Sequence, residues 1–173
     1  MRIEILDGQF MIREWCEDDA ACLVKYANNP KIALNLRDAF PYPYGLEDAK
    51  TFLGLAMKMD PKTYLAIATR DEAIGSIGMT FGQDVHRYTA EMGYWLAESF
   101  WGRGIITAAV KAFTKWAFDS FELNRIFAEP YTTNPASARV LEKAGFTLEG
   151  TLRSMVVKNG QILDQWMYAH FPF

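Results

Sequence analysis

The stretch from Thr63 to Thr107 constrains the fold more than any other. Thr63 to Thr69, Ala73 to Phe81 and Tyr88 to Ala97 are three β-rich runs, separated only by Arg70-Asp71-Glu72 and by Gly82 to Arg87. Connections this short join antiparallel neighbours, because a parallel pair needs a crossover of a dozen or more residues. The third run continues through Glu98-Ser99-Phe100-Trp101 into Gly102-Arg103-Gly104, and helical spacing then holds to Ser120. Two glycines one residue apart let the backbone turn with its N–H groups exposed at a helix N-terminus, which suits a phosphate or pyrophosphate. The same glycines could serve only to enter the helix tightly.

Two nucleotide-binding motifs are excluded by spacing. A Walker A loop needs Gly-x-x-x-x-Gly-Lys-Ser/Thr, which is absent. A dinucleotide fingerprint needs a third glycine where Thr107 stands, and it should follow the first strand of a βαβ unit rather than a meander. A nicotinamide-dependent oxidoreductase therefore keeps the Gly-x-Gly and loses the rest, and an anion site on an antiparallel α+β scaffold remains.

The rest of the chain reads as one domain over residues 1–173. Phe10 to Trp15 suits a short strand, Asp18 to Asn28 a helix ended by Asn29-Pro30, and Leu46 to Met59 a second helix closed by Asp60-Pro61. In the helix after Gly102, Ile106, Ala109, Val110, Phe113, Trp116 and Ala117 form the expected buried stripe. Arg125 to Glu129 is a short strand. Asn134-Pro135 opens a helix as cap and first residue, and Gly145 closes it. Phe146 to Val157 and Ile162 to His170 are joined through Asn159-Gly160, the preferred pair for a type I′ hairpin.

Composition removes several classes of function. Eighteen Lys and Arg against 21 Asp and Glu give a formal charge of −3, which argues against a basic nucleic-acid binder. No apolar run approaches the roughly 18 residues of a membrane span, and the charged start Met1-Arg2-Ile3-Glu4 does not read as a secretory signal. Cys16 and Cys22 are six apart in a helical segment, and His86 and His170 have no partner at ligand spacing, so no metal is expected. A cytoplasmic protein, monomer or homodimer, is the expectation. Half of the residues are hydrophobic and 14% are aromatic, more aromatics than a core alone requires.

Five segments together resemble the GNAT superfamily of acetyl-CoA-dependent N-acetyltransferases, and more closely its RimJ/RimL-like branch. They are Phe40-Pro41-Tyr42-Pro43-Tyr44, Ala90 to Leu96, Trp101-Gly102-Arg103-Gly104, Asn134 to Phe146, and Glu149-Gly150-Thr151-Leu152-Arg153. The resemblance implies a mixed, mostly antiparallel sheet with flanking helices and a splayed parallel strand pair, and acetyl-CoA as acyl donor. It implies that the amides of Trp101, Gly102, Arg103, Gly104, Ile105, Ile106 and Thr107 hold the pyrophosphate. The pantetheine arm would pair with backbone near Trp95 and Leu96, with Asn134 and Ser137 as further contacts. Ser99 and Ala108 depart from residues common in the family, and Leu141 stands where many members place a Tyr thought to protonate the leaving thiolate. The RimJ/RimL-like branch lacks that Tyr too and offers Ser at the position of Ser137.

Acetyl transfer to an amine requires a neutral amine, a stabilised oxyanion and a proton donor for the thiolate. Glu91 is the first candidate base: in alternation it shares a face with Gly93 and Trp95, while Ala90, Met92, Tyr94 and Leu96 form the apolar face. Glu129, at the end of its strand, is a second. Ser137 is the candidate acid, and an amide near Trp95 or Leu96 the oxyanion donor. Phe40, Tyr42 and Tyr44, spaced by prolines, are candidates for an acceptor-binding loop, or equally for a cover over the core edge. The acceptor expected is a protein N-terminus or a small amine. With no Tyr at position 141, a non-catalytic acyl-CoA-binding or sensing module is the alternative.

Overall fold

Leu6, Asp7 and Gly8 take positive φ values of 51°, 55° and 77°, and this turn folds Arg2–Ile5 (β1) back onto Phe10–Arg13 (β2) as an antiparallel pair. The computed structural model describes residues 1–172. β1 is an addition to the sequence reading: Arg2 and Glu4 are exposed while Ile5 is buried and Ile3 half-buried, a one-sided strand whose outward charges disguise its alternation.

The other strands are Tyr64–Ala68 (β3), Ala73–Phe81 (β4), Thr89–Leu96 (β5), Arg125–Ala128 (β6), Thr147–Lys158 (β7) and Gln161–His170 (β8). They form one mixed sheet in the order β1-β2-β3-β4-β5-β6-β8-β7. β5 and β6 run parallel, with Thr89, Ala90 and Glu91 opposite Arg125, Ile126 and Phe127. Among the described residues there are five α-helices: Ala20–Ala27 (α1), Pro30–Ala33 (α2), Leu46–Ala56 (α3), Ile105–Ser120 (α4) and Pro135–Lys143 (α5). The α+β class and the parallel pair implied by the family resemblance are present.

The chain divides into two compact units, Met1–Gly78 with Tyr94–Ala109, and Met79–Gly93 with Val110 onward. In the first, Leu23 and Ala27 of α1 and Ala49, Leu53 and Ala56 of α3 bury one helical stripe each with Trp15, Tyr44, Ala66 and Ala73. Arg13 donates to both carboxylate oxygens of the buried Asp19, at 2.7 and 2.8 Å, and the Cys16 amide adds a third bond at 3.0 Å. Asn29-Pro30 both ends α1 and starts α2, because the Asn29 side chain accepts the Lys31 amide and Pro30 takes the first helical position.

In the second unit the buried side of α4 carries Val110, Phe113, Thr114 and Ala117. Trp116 is half-buried and meets Phe113 at a tilt and Phe121 edge-on, each with ring centroids 5.3 Å apart. Ala109, Val110, Phe113 and Ala117 are buried as expected, and at the start of the helix Ile105 is buried in place of Ile106, which is half-buried. α5 ends as expected: Gly145 has φ 94°, its amide reaches Glu142 O and the Phe146 amide reaches Leu141 O, a Schellman closure. Asn159 and Gly160 both have positive φ, as a type I′ turn demands. β7 has irregular pairing after Leu148 and after Leu152. Around the second, Ser154 has φ 53° and donates its amide to Asp164 Oδ1 at 2.7 Å.

Candidate active site

Gly102 and Gly104 both have φ +75°, and a Cβ built on either would meet nothing within 4 Å. Glycine is needed here for the backbone, since a left-handed φ is costly for other residues. The Ala108 amide bonds Gly104 O at 3.0 Å to form the first turn of α4, and the amides ahead of it belong to the set that no helix satisfies internally.

The loop is held from below by residues that the sequence reading passed over. Glu98 accepts from Asn29 Nδ2 at 2.8 Å and from the Lys31 ammonium, bonds that hold its carboxyl below the usual range. Phe100 meets Phe10 and Tyr26 edge-on at 6.4 and 6.1 Å. The Arg103 guanidinium lies over the Phe100 ring at 5.1 Å and donates to Ser99 O at 3.1 Å. Asn29 already caps α2, and a capping Asn has a second polar end to offer. That signal was available in the sequence, but its partner 69 residues away was not.

Two backbone groups among those expected to face a cofactor are occupied. A short 3₁₀ turn over Glu98–Phe100 takes the Trp101 amide onto Glu98 O at 3.1 Å, and the Trp101 indole donates to Leu96 O at 2.7 Å. Trp101 is thus a strut of the loop with its amide used, and Gly102 to Thr107 carry the candidate phosphate donors. Trp95 is half-buried and packs edge-on against Phe40 at 5.9 Å. Phe40 also meets Tyr44 at 5.2 Å.

The aromatic loop therefore divides. Tyr44 is a core residue, 4% exposed, its phenol pushed up to about 12 by burial and by the nearby Asp48 carboxylate. Phe40 covers the core edge, and Tyr42 is 53% exposed. Of the three acceptor-loop candidates, Tyr42 is exposed, Phe40 half-buried and Tyr44 buried.

In the second unit, Ala90 and Met92 are buried while Glu91 is half-buried and Gly93 exposed, the alternation expected. A Cβ at Gly93, two residues along the same face, would meet nothing within 4 Å. Glu129 follows β6 directly, and its carbonyl accepts from Gln165 Nε2 at 2.9 Å. Asn134 caps α5 by accepting the Ser137 amide at 3.3 Å, which places Ser137, half-buried, in the first turn. Leu141, one turn further, is fully buried and does core packing. Among the described residues no group of His, Cys, Asp or Glu stands ready for a metal, and no helix is long and apolar enough to cross a membrane.

The fold is an α+β domain with a parallel strand pair, and a loop with two left-handed glycines opens α4. The chain belongs to the acetyltransferase (GNAT) domain family, whose pattern matches residues 9–147, and is thereby an acetyl-CoA-dependent acyltransferase. It is 26% identical over 155 residues to the uncharacterized N-acetyltransferase p20 of Bacillus licheniformis, covering 88% of this chain and 86% of that protein. It is 38% identical over 103 residues to the ribosomal-protein-serine acetyltransferase of Escherichia coli K12, covering 60% of this chain and 57% of that relative, little more than half its length. In fold it is similar to RimL, a ribosomal L7/L12 α-N-protein acetyltransferase solved with coenzyme A: TM-score 0.86, 23% identity, 99% of this chain and 98% of that one.

Proposed function

We propose that the chain transfers the acetyl group of acetyl-CoA directly to a primary amine, either a protein N-terminus or a small-molecule amine. The observation that carries this reading is the pair of left-handed glycines, Gly102 and Gly104, ahead of α4, in a chain of the acetyltransferase family. The relative named a ribosomal-protein-serine acetyltransferase, together with the fold neighbour RimL, an α-N-protein acetyltransferase, supports a protein N-terminus as acceptor, and a cytoplasmic setting goes with it.

The residues fit the acyl donor. Amides from Gly102 to Thr107 would bind the pyrophosphate without side-chain charge, which fits a chain of net charge −3. Asn134 would make a further contact while capping α5. Bound acetyl-CoA supplies a thioester carbonyl open to attack. Glu91, directly or through a water admitted beside Gly93, takes the proton of the amine. An α-amine titrates near ~8 against about 10.4 for lysine, so a carboxylate is an adequate base for an N-terminal acceptor. A backbone N–H near Trp95 or Leu96 would stabilise the developing oxyanion, and the Ser137 hydroxyl would donate to the departing thiolate while taking up a proton from water, so that the proton Glu91 releases to solvent balances the one the thiol gains. Glu129 is the second base candidate, and Tyr42 is the exposed contact for the acceptor, with Phe40 and Tyr44 backing its loop.

A thiol-release assay over N-terminal peptides, polyamines and aminoglycosides tests the reading. Turnover on at least one amine is expected. Tight CoA binding with no turnover on any acceptor would favour the sensing module instead.

A further inference from the structure

The parallel pairing of β5 with β6 stops at Glu91 and Phe127, but the other side of β6 carries on. Ile126, Phe127 and Ala128 face His170, Ala169 and Tyr168. The same register continues past the strand's end: the Trp166 amide reaches Pro130 O and the Thr132 amide reaches Asp164 O, both at 3.0 Å, with Tyr131 opposite Gln165. Backbone groups alternate sides along a strand. With Pro130 O and the Thr132 amide turned to β8, the carbonyls of Glu129 and Tyr131 turn to the side on which β5 pairs lower down. The Asn134 amide takes Tyr131 O at 2.8 Å. Glu129 O takes its bond from a side chain instead of a neighbouring strand: Gln165 Nε2, at 2.9 Å. Gln165 is 5% exposed, and a buried amide of this kind is kept for the bonds that it makes.

We propose that Gln165 is a positioning residue for acetyl transfer. Its amide fixes the Glu129–Asn134 segment just where the parallel ladder has ended, and with it Glu129 and the Asn134 cap that sets Ser137. This rests on the transferase reading above. Two ladder bonds to β8 keep the segment attached without Gln165, so losing the side-chain bond shifts the segment without detaching it. Small misplacements of reacting groups cost rate before they cost binding.

Gln165→Met keeps the chain length and removes the donor. It is expected to lower kcat about tenfold on the best amine of the panel, while the acetyl-CoA dissociation constant from calorimetry moves by no more than about threefold. Gln165→Glu sets a carboxylate against a carbonyl oxygen at high pH and a donating carboxyl at low pH, so its kcat relative to wild type should recover as the pH falls from about 8 to about 5.5. A wild-type kcat in Gln165→Met, or equal losses of kcat and affinity with no recovery in Gln165→Glu, overturns the proposal. Hydrogen exchange gives a readout free of turnover: the Thr132 and Trp166 amides should exchange faster in Gln165→Met, and unchanged exchange overturns the clamp. A wild type that acetylates no amine overturns the transferase reading, and exchange alone then decides the clamp.

Discussion

The indole N–H of Trp101 donates to the backbone carbonyl of Leu96 at 2.7 Å, tying the last residue of β5 to the loop that opens α4. A neutral hydrogen bond of this kind is worth about 1 kcal/mol net. Trp101→Phe keeps an aromatic ring and loses the donor. CoA affinity measured by calorimetry should fall about fivefold, and an unchanged affinity would show that the loop holds its shape without the strut.

Gly104→Val separates the backbone from the side chain as the cause of binding. The protein leaves the space around Gly104 open, so valine meets no internal clash and costs the protein only the left-handed φ, about 1–2 kcal/mol. A chain of this size should then lose only about 2–8 °C in its unfolding midpoint. Binding of CoA should disappear, because on the proposed reading the branched side chain would lie where a phosphate approaches the amides. Wild-type affinity in calorimetry would remove the loop from the cofactor site.

Glu91→Gln should leave acetyl-CoA affinity unchanged and lower kcat by about 10²-fold or more, the usual contribution of a positioned base. The sign of its pH dependence follows from the acceptor. Below the amine's own pKa of ~8 most of the acceptor carries a proton that must be removed, and above it the amine is already neutral. The deficit should therefore be largest at low pH and shrink as the pH rises past ~8. Steady-state rates from thiol release at several pH values measure it, and an unaltered rate constant takes Glu91 out of the mechanism.

The parts of this molecule that the sequence exposed are those whose physics is local. Gly102, Gly104, Asn159-Gly160 and Asn134-Pro135 each declare a backbone conformation by residue type, and each is found as expected. The meander of β3, β4 and β5 follows from its short connections. Hidden were the bonds between distant segments. Nothing near Glu98 points to Asn29 and Lys31, nothing near Glu129 points to Gln165, and Phe40-Pro41-Tyr42-Pro43-Tyr44 carries no mark that Tyr44 turns inward while Tyr42 stays out. On α4 the expected Ala109, Val110, Phe113 and Ala117 are buried, while Ile105 and Thr114 are buried where Ile106 and Trp116 were expected.

The Arg13–Asp19 pair makes the first unit acid-sensitive in a way that one substitution can isolate. Burial alone would raise the Asp19 carboxyl, but the hydrogen bonds from Arg13 and from the Cys16 amide outweigh it and hold it below its ordinary value of 3.8. A depressed folded value means that the pair's stabilisation is fully present above the unfolded value and is lost as the pH falls through the folded one. Glu14, held near 2 by Lys62 and the N-terminal amine, and Glu149, held down by Arg125, act with the same sign. The unfolding midpoint should therefore fall steadily once the pH drops below about 4. Asp19→Asn removes the charge and leaves Arg13 with a side chain still 24% exposed. Because water reaches that guanidinium, the cost at pH 7 should be about 2 kcal/mol rather than the 3–5 kcal/mol of a fully enclosed pair, roughly 4–8 °C in the midpoint. On acidification to about pH 2.5, below the unfolded carboxyl's ordinary value, the wild type loses part of the stabilisation that the ion pair gives and the variant never had, so the gap between them should narrow. Thermal unfolding of both proteins at the two pH values measures this, and a gap that stays constant would show that Asp19 holds Arg13 by shape alone.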